Sequence, residues 1–227
     1  MAPEFYTSHS KVYLAIDCII FGFQRGELKL LIQQRNFEPF RGVWSLMGGF
    51  VEADENLYDA ARRVCEELTG LKNVYMQQVG AFGAVDRDPG ARVVSVAYYA
   101  LLNVDKYNPE LNIKNSSQWR NINELPSLYF DHAEMVAEAR SMLKRKISRE
   151  PVGFNLLPPL FTLSQLQALH EAILGEKIDK RNFRKKVNEM NFIEKTNIID
   201  KTGSKRGAHL YRFNDSIYQK EHKFKLM

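Results

Sequence analysis

The stretch from Gly48 to Leu71 limits the possible folds of this chain more than any other, because it joins a glycine pair to a strongly patterned helix. Gly48 and Gly49 allow the backbone to approach other groups closely. Asn56 then stands in the N-cap position, and Gly70 stands where a left-handed residue ends a helix. Between them the apolar residues recur at helical spacing and predict one buried face. These residues are Leu57, Ala60, Ala61, Val64, Cys65 and Leu68.

This stretch resembles the Nudix box, whose family pattern is G-x5-E-x7-R-E-U-x-E-E-x-G-U, with U an apolar residue. Counted from Gly49, seven of the nine fixed positions match, and a frame that starts one residue earlier matches only five. The matching residues are Gly49, Glu55, Arg63, Cys65, Glu67, Gly70 and Leu71. Val64 and Leu68 stand where the family has glutamate.

The two departures bear on the chemistry that the resemblance implies. In Nudix enzymes the glutamates of this helix hold Mg²⁺ or Mn²⁺ against a pyrophosphate. Positions 64, 67 and 68 share one helix face, and hard divalent cations need several oxygen ligands. With Glu67 as the one carboxylate on that face, we expect no bound metal, no cofactor and no enzymatic activity. The helix is then a scaffold, with Glu67 paired to Arg63 four residues away.

The runs around the box have the composition of strands and predict the rest of a first domain. Two runs before the box form a hairpin, two more follow it, and Asp131 is predicted to cap a helix. The strands are predicted over residues 12–23, 27–35, 74–83 and 93–102, and the helix extends to about Lys146 with Ala133, Val136, Ala137, Met142 and Leu143 on its apolar face. The resemblance covers roughly residues 10–147. It implies an α+β fold, a Nudix-like α/β/α sandwich with a mixed sheet.

In the family the segments around the box line a ligand cleft, so the resemblance implies an effector site here. The candidate effector-binding residues are Arg35, Arg41, Trp44, Glu52, Glu67, Asp86 and Arg87. Asp86 and Arg87 lie in a polar loop between two predicted strands, and such loops often carry ligand groups. A solvated turn is the alternative for this loop, and a core aromatic is the alternative for Trp44.

Charge is distributed unevenly along the chain. Residues 1–150 hold 18 Lys and Arg against 19 Asp and Glu, whereas residues 160–227 hold 14 against 8. The segment between them contains proline and no charge, which is typical of a linker. A basic C-terminal part indicates a module that binds a polyanion, and the alternative is an ordinary solvated basic face.

The C-terminal part has the element order of a winged helix-turn-helix. Thr162 begins a capping box, and Gly175 ends the helix that follows it. Asp179 caps a second helix, which is strongly basic. That helix is predicted over residues 180–190 with Phe183, Val187 and Met190 as its buried stripe, and two β runs over 192–199 and 209–213 bracket a basic loop. The module therefore contains a basic helix and a basic wing.

The basic helix and wing supply the candidate DNA-binding residues. They are Lys180, Arg181, Asn182, Arg184, Lys185, Lys186, Lys205 and Arg206. Arg181 and Asn182 have the donor sets that read guanine and adenine in the major groove. The lysines and Arg206 suit phosphates, which position a protein on the duplex. Sequence alone does not separate base readers from phosphate contacts.

A degenerate Nudix domain followed by a winged helix resembles the Nudix-related transcriptional regulators. That resemblance implies an effector-sensing domain over residues 1–148, a linker over 149–160 and a smaller DNA-binding domain over 161–227. It also implies a homodimer on double-stranded operator DNA. The expected function is a repressor of sugar catabolism genes that responds to a small sugar such as L-arabinose, since lost metal ligands disfavour a pyrophosphate.

Three alternatives stay open at this point. The first is a regulator of NAD metabolism that senses ADP-ribose. The second is an active Nudix pyrophosphohydrolase with an accessory nucleic-acid-binding tail, and the third is a DNA-binding protein whose Nudix part only dimerises. Stability shifts with pentoses or ADP-ribose would separate them.

Cysteine usage and hydropathy predict the compartment. Cys18 and Cys65 fall inside apolar patterns, which indicates buried thiols in a reducing environment. We find no secretory signal pattern at the N-terminus and no apolar run long enough to cross a membrane. The expected location is the cytoplasm, with no membrane partner.

Overall fold

The computed structural model describes residues 8–36, 38, 40–72, 74–107, 117–147, 150–202 and 206–223. The chain divides into two compact units. The first consists of Met1–Phe21, Lys29–Leu101 and Tyr107–Met142, and the second of Gly22–Leu28, Leu102–Lys106 and Leu143–Met227. The domain limits predicted from the sequence, at residues 148 and 161, remain a prediction, because this division into compact units does not test them.

A seven-stranded mixed sheet contains every strand up to residue 121. Its strands are β1 (Tyr13–Gln24), β2 (Glu27–Gln34), β3 (Trp44–Ser45), β4 (Met47–Phe50), β5 (Met76–Phe82), β6 (Val93–Asn103) and β7 (Ser117–Asn121). The order is β3-β2-β1-β6-β5, while β4 pairs with β1 and β7 pairs with β2. The β1–β4 pairing sets Asp17 opposite Gly48, which brings the glycine pair of the box beside the central strand.

Strand β1 is buried along most of its length, as expected for a central strand with both faces covered. Its continuous apolar run predicted that burial, and one charged residue, Asp17, interrupts the run. Ile16, Phe21 and Tyr99 are among the large side chains with almost no exposed surface. The predicted strands are confirmed, with ends shifted by two residues at most.

The box helix, α1 (Leu57–Thr69), has the predicted ends. The Asn56 side chain accepts the N–H groups of Tyr58 and Asp59. Gly70 has a φ of 76° and donates its N–H to the Glu66 carbonyl, as a left-handed C-terminal residue does. The buried residues are Ala60, Ala61, Val64, Cys65 and Thr69, whereas Leu57 and Leu68 are half-buried. The helix therefore packs on the predicted face.

A short helix, α2 (Val104–Tyr107), follows β6, and α3 (His132–Ile147) follows β7. The predicted face of α3 was partly wrong, because Ala133 and Ala137 are exposed. Its buried residues are His132, Met135, Val136, Ala139, Leu143 and Ile147. Alanine is small enough to occur on either face of a helix, so its position does not settle the register of an amphipathic pattern.

The second unit has a helical part and a small sheet. A 3-10 helix (Pro151–Leu156) occupies the segment predicted to be a linker. It is followed by β8 (Phe161–Thr162), α4 (Leu163–Leu174), α5 (Lys180–Asn188), β9 (Ile193–Asp200), β10 (Ala208–Phe213) and α6 (Asp215–Lys223). The three strands pair in the order β8-β10-β9. This is a winged helix-turn-helix arrangement, and the fold class is as predicted.

Local signals placed the helices of this unit well. Thr162 and Gln165 form the complete capping box, and Gly175 ends α4 with a φ of 79°. Phe183 and Val187 are buried, but Met190 lies beyond the end of α5 and is 37% exposed, so its predicted burial was wrong. Helix α6 was not predicted from the sequence, and its first turn is bonded to Asn214, whose side chain accepts the Ile217 N–H.

Two further predictions concern the whole chain. Both cysteines are buried free thiols, and burial raises the pKa of Cys18 well above its ordinary value. Among the residues that the structure describes, we find no helix with the length and hydropathy of a membrane span.

Candidate functional site

A cavity of about 740 Å³ opens in the first unit between the glycine pair of the box, the end of β2 and the start of α3. Such a volume is within the range of small-molecule sites. Its floor contains buried polar groups, and its rim carries exposed aromatic rings. The floor residues are Asp17, Gln33, Ser45, Arg87 and His132, each at most 9% exposed. Buried polar groups concentrated in one cavity indicate a binding site.

Arg87 organises the floor through two carboxylates. Its Nε and Nη2 donate to the two oxygens of Asp131 at 2.8 and 2.7 Å. Nη2 also lies 3.5 Å from Asp17 Oδ2. Burial opposes the charge of Arg87, yet the contacts with Asp131 and Asp17 outweigh it and raise the pKa of the guanidinium. Arg87 is therefore a fixed cation in the floor.

Asp17 is the acceptor at the centre of the floor. Ser95 Oγ donates to its Oδ2 at 2.6 Å, and His132 Nε2 lies 3.4 Å from its Oδ1. Burial alone would raise the pKa of this carboxyl, but His132, Ser95 and Arg87 outweigh that effect and lower it. Asp17 is thus an ionised carboxylate that only accepts hydrogen bonds.

A backbone contact sets the tautomer of His132. The Leu46 N–H donates to His132 Nδ1 at 3.1 Å, so Nδ1 must carry a lone pair. The proton of the ring is then on Nε2 and faces Asp17. This contact also ties the start of α3 to the strand segment that contains Ser45.

Glycine at position 48 leaves the space beside Asp17 open. A Cβ atom there would lie 2.6 Å from Asp17 Oδ1. A side chain would therefore block the carboxylate from the cavity, which gives a physical reason for glycine at this position.

The walls and rim of the cavity have a different character from the floor. Arg35 lines the wall, with its guanidinium carbon 5.7 Å from the centre of the Phe130 ring. Tyr13 and Phe50 lie at the rim with ring centroids 5.5 Å apart. They are 60% and 54% exposed, which is unusual for large aromatic side chains. The cavity therefore offers a cation and two open ring faces above a polar floor.

The structure brings two of the predicted effector residues, Arg35 and Arg87, to this cavity. The others, Arg41, Trp44, Glu52, Glu67 and Asp86, are outside its lining. Trp44 lies in the short strand β3 with the guanidinium of Arg120 5.5 Å from its ring, and the remaining four are exposed. A ligand role for these five stays a prediction.

Sequence reasoning missed Asp17, Ser45, Asp131 and His132 as site residues. The one available signal was the single charge of Asp17 inside an apolar strand, since an isolated buried carboxylate needs partners. Asp131 was expected to cap α3, but its carboxylate oxygens bind Arg87. The partners of Asp17 come from distant parts of the chain, and no local sequence pattern predicts them.

Arg63 of the box helix forms ion pairs with two carboxylates. Arg63 Nε donates to Glu55 Oε2 at 2.9 Å, and Nη1 donates to Glu67 at 3.3 Å, as the spacing predicted. The bond from Arg63 and a second from the Glu52 N–H lower the pKa of Glu55 to about 2. These carboxylates neutralise an arginine within the protein.

The box does not fit the divalent metal that the fold family implies. Val64 packs against the glycine pair so closely that a Cβ on Gly49 would lie 2.8 Å from its Cγ2. Leu68 adds a second apolar side chain where the family has a carboxylate. Within the described ranges, no group of three or more His, Cys, Asp or Glu side chains could hold a metal ion.

Helix α5 presents the second candidate site, a surface of polar and cationic side chains. Phe183 and Val187 face the interior, and Asp179 caps the helix by accepting the Asn182 N–H at 2.8 Å. All six predicted DNA-contacting residues of the helix are exposed: Lys180, Arg181, Asn182, Arg184, Lys185 and Lys186. Among the described side chains, no carboxylate forms an ion pair with these cations. Their charge faces solvent.

The wing is described on both sides of its tip. Lys205 lies outside the described residues, and Arg206 is exposed. Gly207 has a φ of 70°, and a Cβ there would collide with Ile199. Glycine at position 207 permits this positive φ, and the DNA contacts of both basic residues stay predictions.

Two family models match the chain and divide it between them. The NUDIX domain matches residues 12–144, and the NrtR DNA-binding winged helix domain matches residues 153–213.

Relatives share both parts. The ADPR responsive transcriptional repressor NtrR of Acinetobacter baylyi is 36% identical over 204 residues, which cover 88% of this chain and 81% of that protein. The crystal structure of Shewanella oneidensis NrtR complexed with a 27mer DNA has a TM-score of 0.79 at 30% identity, over 88% of this chain and 93% of that one. The NUDIX domain of that NrtR, in a cocrystal with ADP ribose, has a TM-score of 0.51 at 27% identity, over 63% of this chain and 99% of that one.

Proposed function

This chain belongs to the Nudix-related NrtR family of transcriptional regulators, and from that premise we propose that it is a DNA-binding repressor that responds to ADP-ribose. The observation that carries the proposal is the pairing of a nucleotide-sized cavity with an exposed cationic helix in one chain. The relatives support each half, because one was crystallised with DNA and its NUDIX domain with ADP ribose.

The DNA half of the proposal places α5 in the major groove. The exposed side of α5 carries donors for base edges near its N-terminus and further cations along its length. Arg181 and Asn182 are proposed to read bases, and Lys185, Lys186, Lys205 and Arg206 to contact phosphates. We propose that residues 161–227 form this module after a linker at 149–160, and that the protein binds its operator as a homodimer.

The effector half favours ADP-ribose over the L-arabinose expected from the sequence. A pentose would leave much of the 740 Å³ cavity empty, whereas a nucleoside diphosphate sugar such as ADP-ribose would fill it. The argument from lost metal ligands assumed that a pyrophosphate needs a cation from solution. Arg35 supplies a protein cation on the cavity wall, so a pyrophosphate can be bound without metal. The relatives, whose named effector is ADP-ribose, support the same choice.

We also propose that this chain senses its ligand and does not hydrolyse it. A Nudix hydrolase uses the box carboxylates to hold a metal ion at the pyrophosphate. Here Glu55 and Glu67 are held by Arg63, and Val64 and Leu68 fill the positions beside them. The residues 1–148 would then act as a regulatory domain.

Thermodynamic linkage between effector binding and DNA binding sets the requirement for a repressor that responds to ADP-ribose. ADP-ribose changes operator affinity only if it binds the free and the DNA-bound protein with different strengths. For release from DNA, the free protein must bind ADP-ribose more tightly. A tenfold loss of operator affinity corresponds to about 1.4 kcal/mol of coupling.

The test begins with a duplex that the purified full chain selects from a random-sequence library. Fluorescence anisotropy then measures its affinity with and without ADP-ribose, with L-arabinose and ADP as controls. We expect ADP-ribose alone to weaken binding by about tenfold or more. An unchanged operator affinity at a concentration that saturates the protein would overturn the ADP-ribose switch.

A second assay separates sensing from hydrolysis. The protein is incubated with ADP-ribose and Mg²⁺, and release of AMP is followed by chromatography. We expect no metal-dependent release. Turnover would establish the pyrophosphohydrolase alternative. Light scattering of the protein in solution tests the homodimer.

A further inference from the structure

A separate cavity of about 340 Å³ lies within the second unit, against the buried side of helix α5. Protein interiors contain few voids larger than a water molecule, and small-molecule sites begin at about 300 Å³. The cavity therefore has room for one small ligand. Its base consists of the buried residues Ile147, Gly153, Leu166, Phe183 and Val187, and the exposed residues at its mouth are Glu150, Asn182, Lys186 and Met190.

Aromatic rings form the walls of this cavity. Phe183 meets His170 edge to face with ring centroids 5.4 Å apart, and Phe192 meets Tyr218 in the same way at 5.3 Å. Phe154 adds a further ring from the 3-10 helix. Edge-to-face and offset stacked contacts are the arrangements that aromatic rings prefer. The walls therefore favour a planar aromatic ring as the apolar part of a ligand.

Three of the polar side chains in the lining contribute no unbalanced charge. Glu150 forms an ion pair with Lys146 at 3.2 Å. His170 Nδ1 donates to the Leu166 carbonyl at 2.9 Å, and burial lowers the pKa of the ring, so this imidazole is neutral. Burial and the nearby Glu150 raise the pKa of Tyr218, so its hydroxyl keeps its proton.

The mouth adds one unbalanced positive charge and one amide group. Asn182 and Lys186 are four residues apart, so they share one side of α5, at the border of its buried stripe. Within the described part of the chain, no carboxylate pairs with Lys186. A carboxylate has one negative charge, which one lysine can neutralise, whereas a phosphate monoester has about 1.5 to 2. The mouth therefore favours a carboxylate.

From these walls and this mouth we infer that the winged-helix unit has its own ligand site, for a small aromatic monocarboxylate. The ring lies among the aromatic side chains of the cavity, and the carboxylate accepts hydrogen bonds from Lys186 and Asn182. None of the residues that line this site belongs to the 740 Å³ cavity of the first unit. The site therefore accepts a second effector that differs from ADP-ribose.

The effect of such a ligand on DNA rests on the proposed function, in which Asn182 reads a base and Lys186 contacts a phosphate. A carboxylate that holds both side chains withdraws them from the duplex. The aromatic acid and the operator then weaken each other's binding by the same factor. This gives a route to release from DNA that does not need ADP-ribose.

The first test measures the role of the lysine with 2-naphthoate as the probe. The acid is titrated by calorimetry into the full chain, Lys186→Met and the control Lys185→Met. Methionine keeps an apolar stem and removes the cation, and Lys185 is the adjacent exposed lysine, outside the cavity lining. Lys186→Met should weaken binding by about tenfold, and Lys185→Met should stay within about twofold. No binding to the wild type up to the solubility of the acid, or equal losses in both variants, would overturn the site.

Two further probes separate the ring from the charge. 2-Naphthamide keeps the ring system and removes the charge, and octanoate keeps the carboxylate and replaces the ring by a chain. Both should bind the wild type at least about tenfold more weakly than 2-naphthoate. Equal binding of the amide would contradict the role assigned to Lys186, and equal binding of octanoate would contradict an aromatic ligand.

A blocking variant tests the location. Met190 lies at the mouth and is 37% exposed, so Met190→Trp fills the entrance from a tolerant position. The control Tyr75→Trp changes a 47% exposed residue outside the lining of both cavities. Only Met190→Trp should abolish binding of 2-naphthoate, while its melting temperature and ADP-ribose affinity match the wild type. Retained binding in that variant, or displacement of the acid by ADP-ribose, would place the acid elsewhere.

The last measurement concerns DNA. By fluorescence anisotropy without ADP-ribose, saturating 2-naphthoate should weaken the operator affinity of the wild type by about tenfold and leave that of Met190→Trp unchanged. Unchanged affinity in the wild type would overturn the regulatory role. If the full chain selects no duplex at all, the proposed function fails, whereas the calorimetric comparison of Lys186→Met with Lys185→Met still decides the ligand site.

Discussion

Helix α1 of the first unit and helix α5 of the second both begin at a side chain that accepts backbone N–H groups, Asn56 and Asp179. Both bury an apolar stripe. They differ in what happens to their charges. Arg63 of α1 is paired with Glu55 and Glu67, whereas the cations of α5 are exposed without an ion pair among the described carboxylates.

The same contrast extends to the two units. In the first, charge is buried and compensated, as in the set formed by Arg87, Asp17 and Asp131. In the second unit, positive charge is concentrated on the exposed surface of α5, where a binding partner can contact it. Buried compensated charge stabilises a particular geometry only while every member is present. Exposed charge adds little to folding and is available for binding. Substitutions should therefore separate stability from DNA affinity according to the unit they change.

The largest effect is expected from Arg87→Met. It leaves the buried carboxylate of Asp17 and the half-buried carboxylate of Asp131 without their cation, which costs about 3–5 kcal/mol for a broken buried pair. The melting temperature should fall by roughly 10 °C in a chain of this size. Arg41→Met, at an exposed position, is the control and should change little. Adding Asp131→Asn to Arg87→Met should restore part of the loss, and an unchanged melting temperature in the single variant would contradict the buried-charge argument.

The next effect concerns DNA and spares the fold. In Lys185→Ala/Lys186→Ala, operator affinity should fall, and the slope of log affinity against log salt should decrease by about 2, one unit for each lost phosphate contact. Thermal stability should stay within about 0.5 kcal/mol, because both side chains are exposed. The control Arg41→Ala/Lys72→Ala removes the same charge from the first unit. An equal change of slope in the control would show that net charge, and not the position of α5, governs binding.

The two N-caps give a matched pair. Asn56→Ala and Asp179→Ala should each cost about 1 kcal/mol, since each removes a side chain that accepts backbone N–H groups. Only Asp179→Ala should also weaken DNA binding, because it frees the first turn that carries Arg181 and Asn182. Asp179→Asn keeps a capping residue and removes the charge. Equal DNA affinities for the Ala and Asn variants would argue against a role for the cap in recognition.

The smallest effect is a pH dependence in the first unit. The pKa of Glu55 is lowered from 4.5 to about 2 by its bonds to Arg63 and the Glu52 N–H. A carboxyl whose pKa is lower in the folded than in the unfolded protein stabilises the fold. This stabilisation is complete when the pH is above the unfolded-state pKa, and it is lost as the pH falls through about 2. Glu55→Gln should therefore melt below the wild type at pH 7, with a difference that shrinks on acidification from pH 5 to pH 3. A constant difference would indicate that packing, not charge, is the cause.

Much of the fold follows from local rules. The limits of α1 and α4 were predicted because caps and left-handed glycines act within a few residues, as Gly70 and Gly175 illustrate. The basic face of α5 was also predicted, because exposure of charged residues opposite Phe183 and Val187 follows from helical periodicity. The buried face of α3 was predicted only in part, since alanine fits either face of a helix.

Sequence by itself thus determined the element order, the degenerate box and the basic module, all of which depend on neighbours close in the chain. Tertiary structure alone decided the floor of the cavity. Arg87 meets Asp131 across 44 residues and Asp17 across 70, and Ser95 reaches Asp17 across 78. No periodicity encodes such meetings, because they depend on which strands become neighbours in the sheet. The same pairing set Gly48 beside Asp17, which leaves that carboxylate open to the cavity.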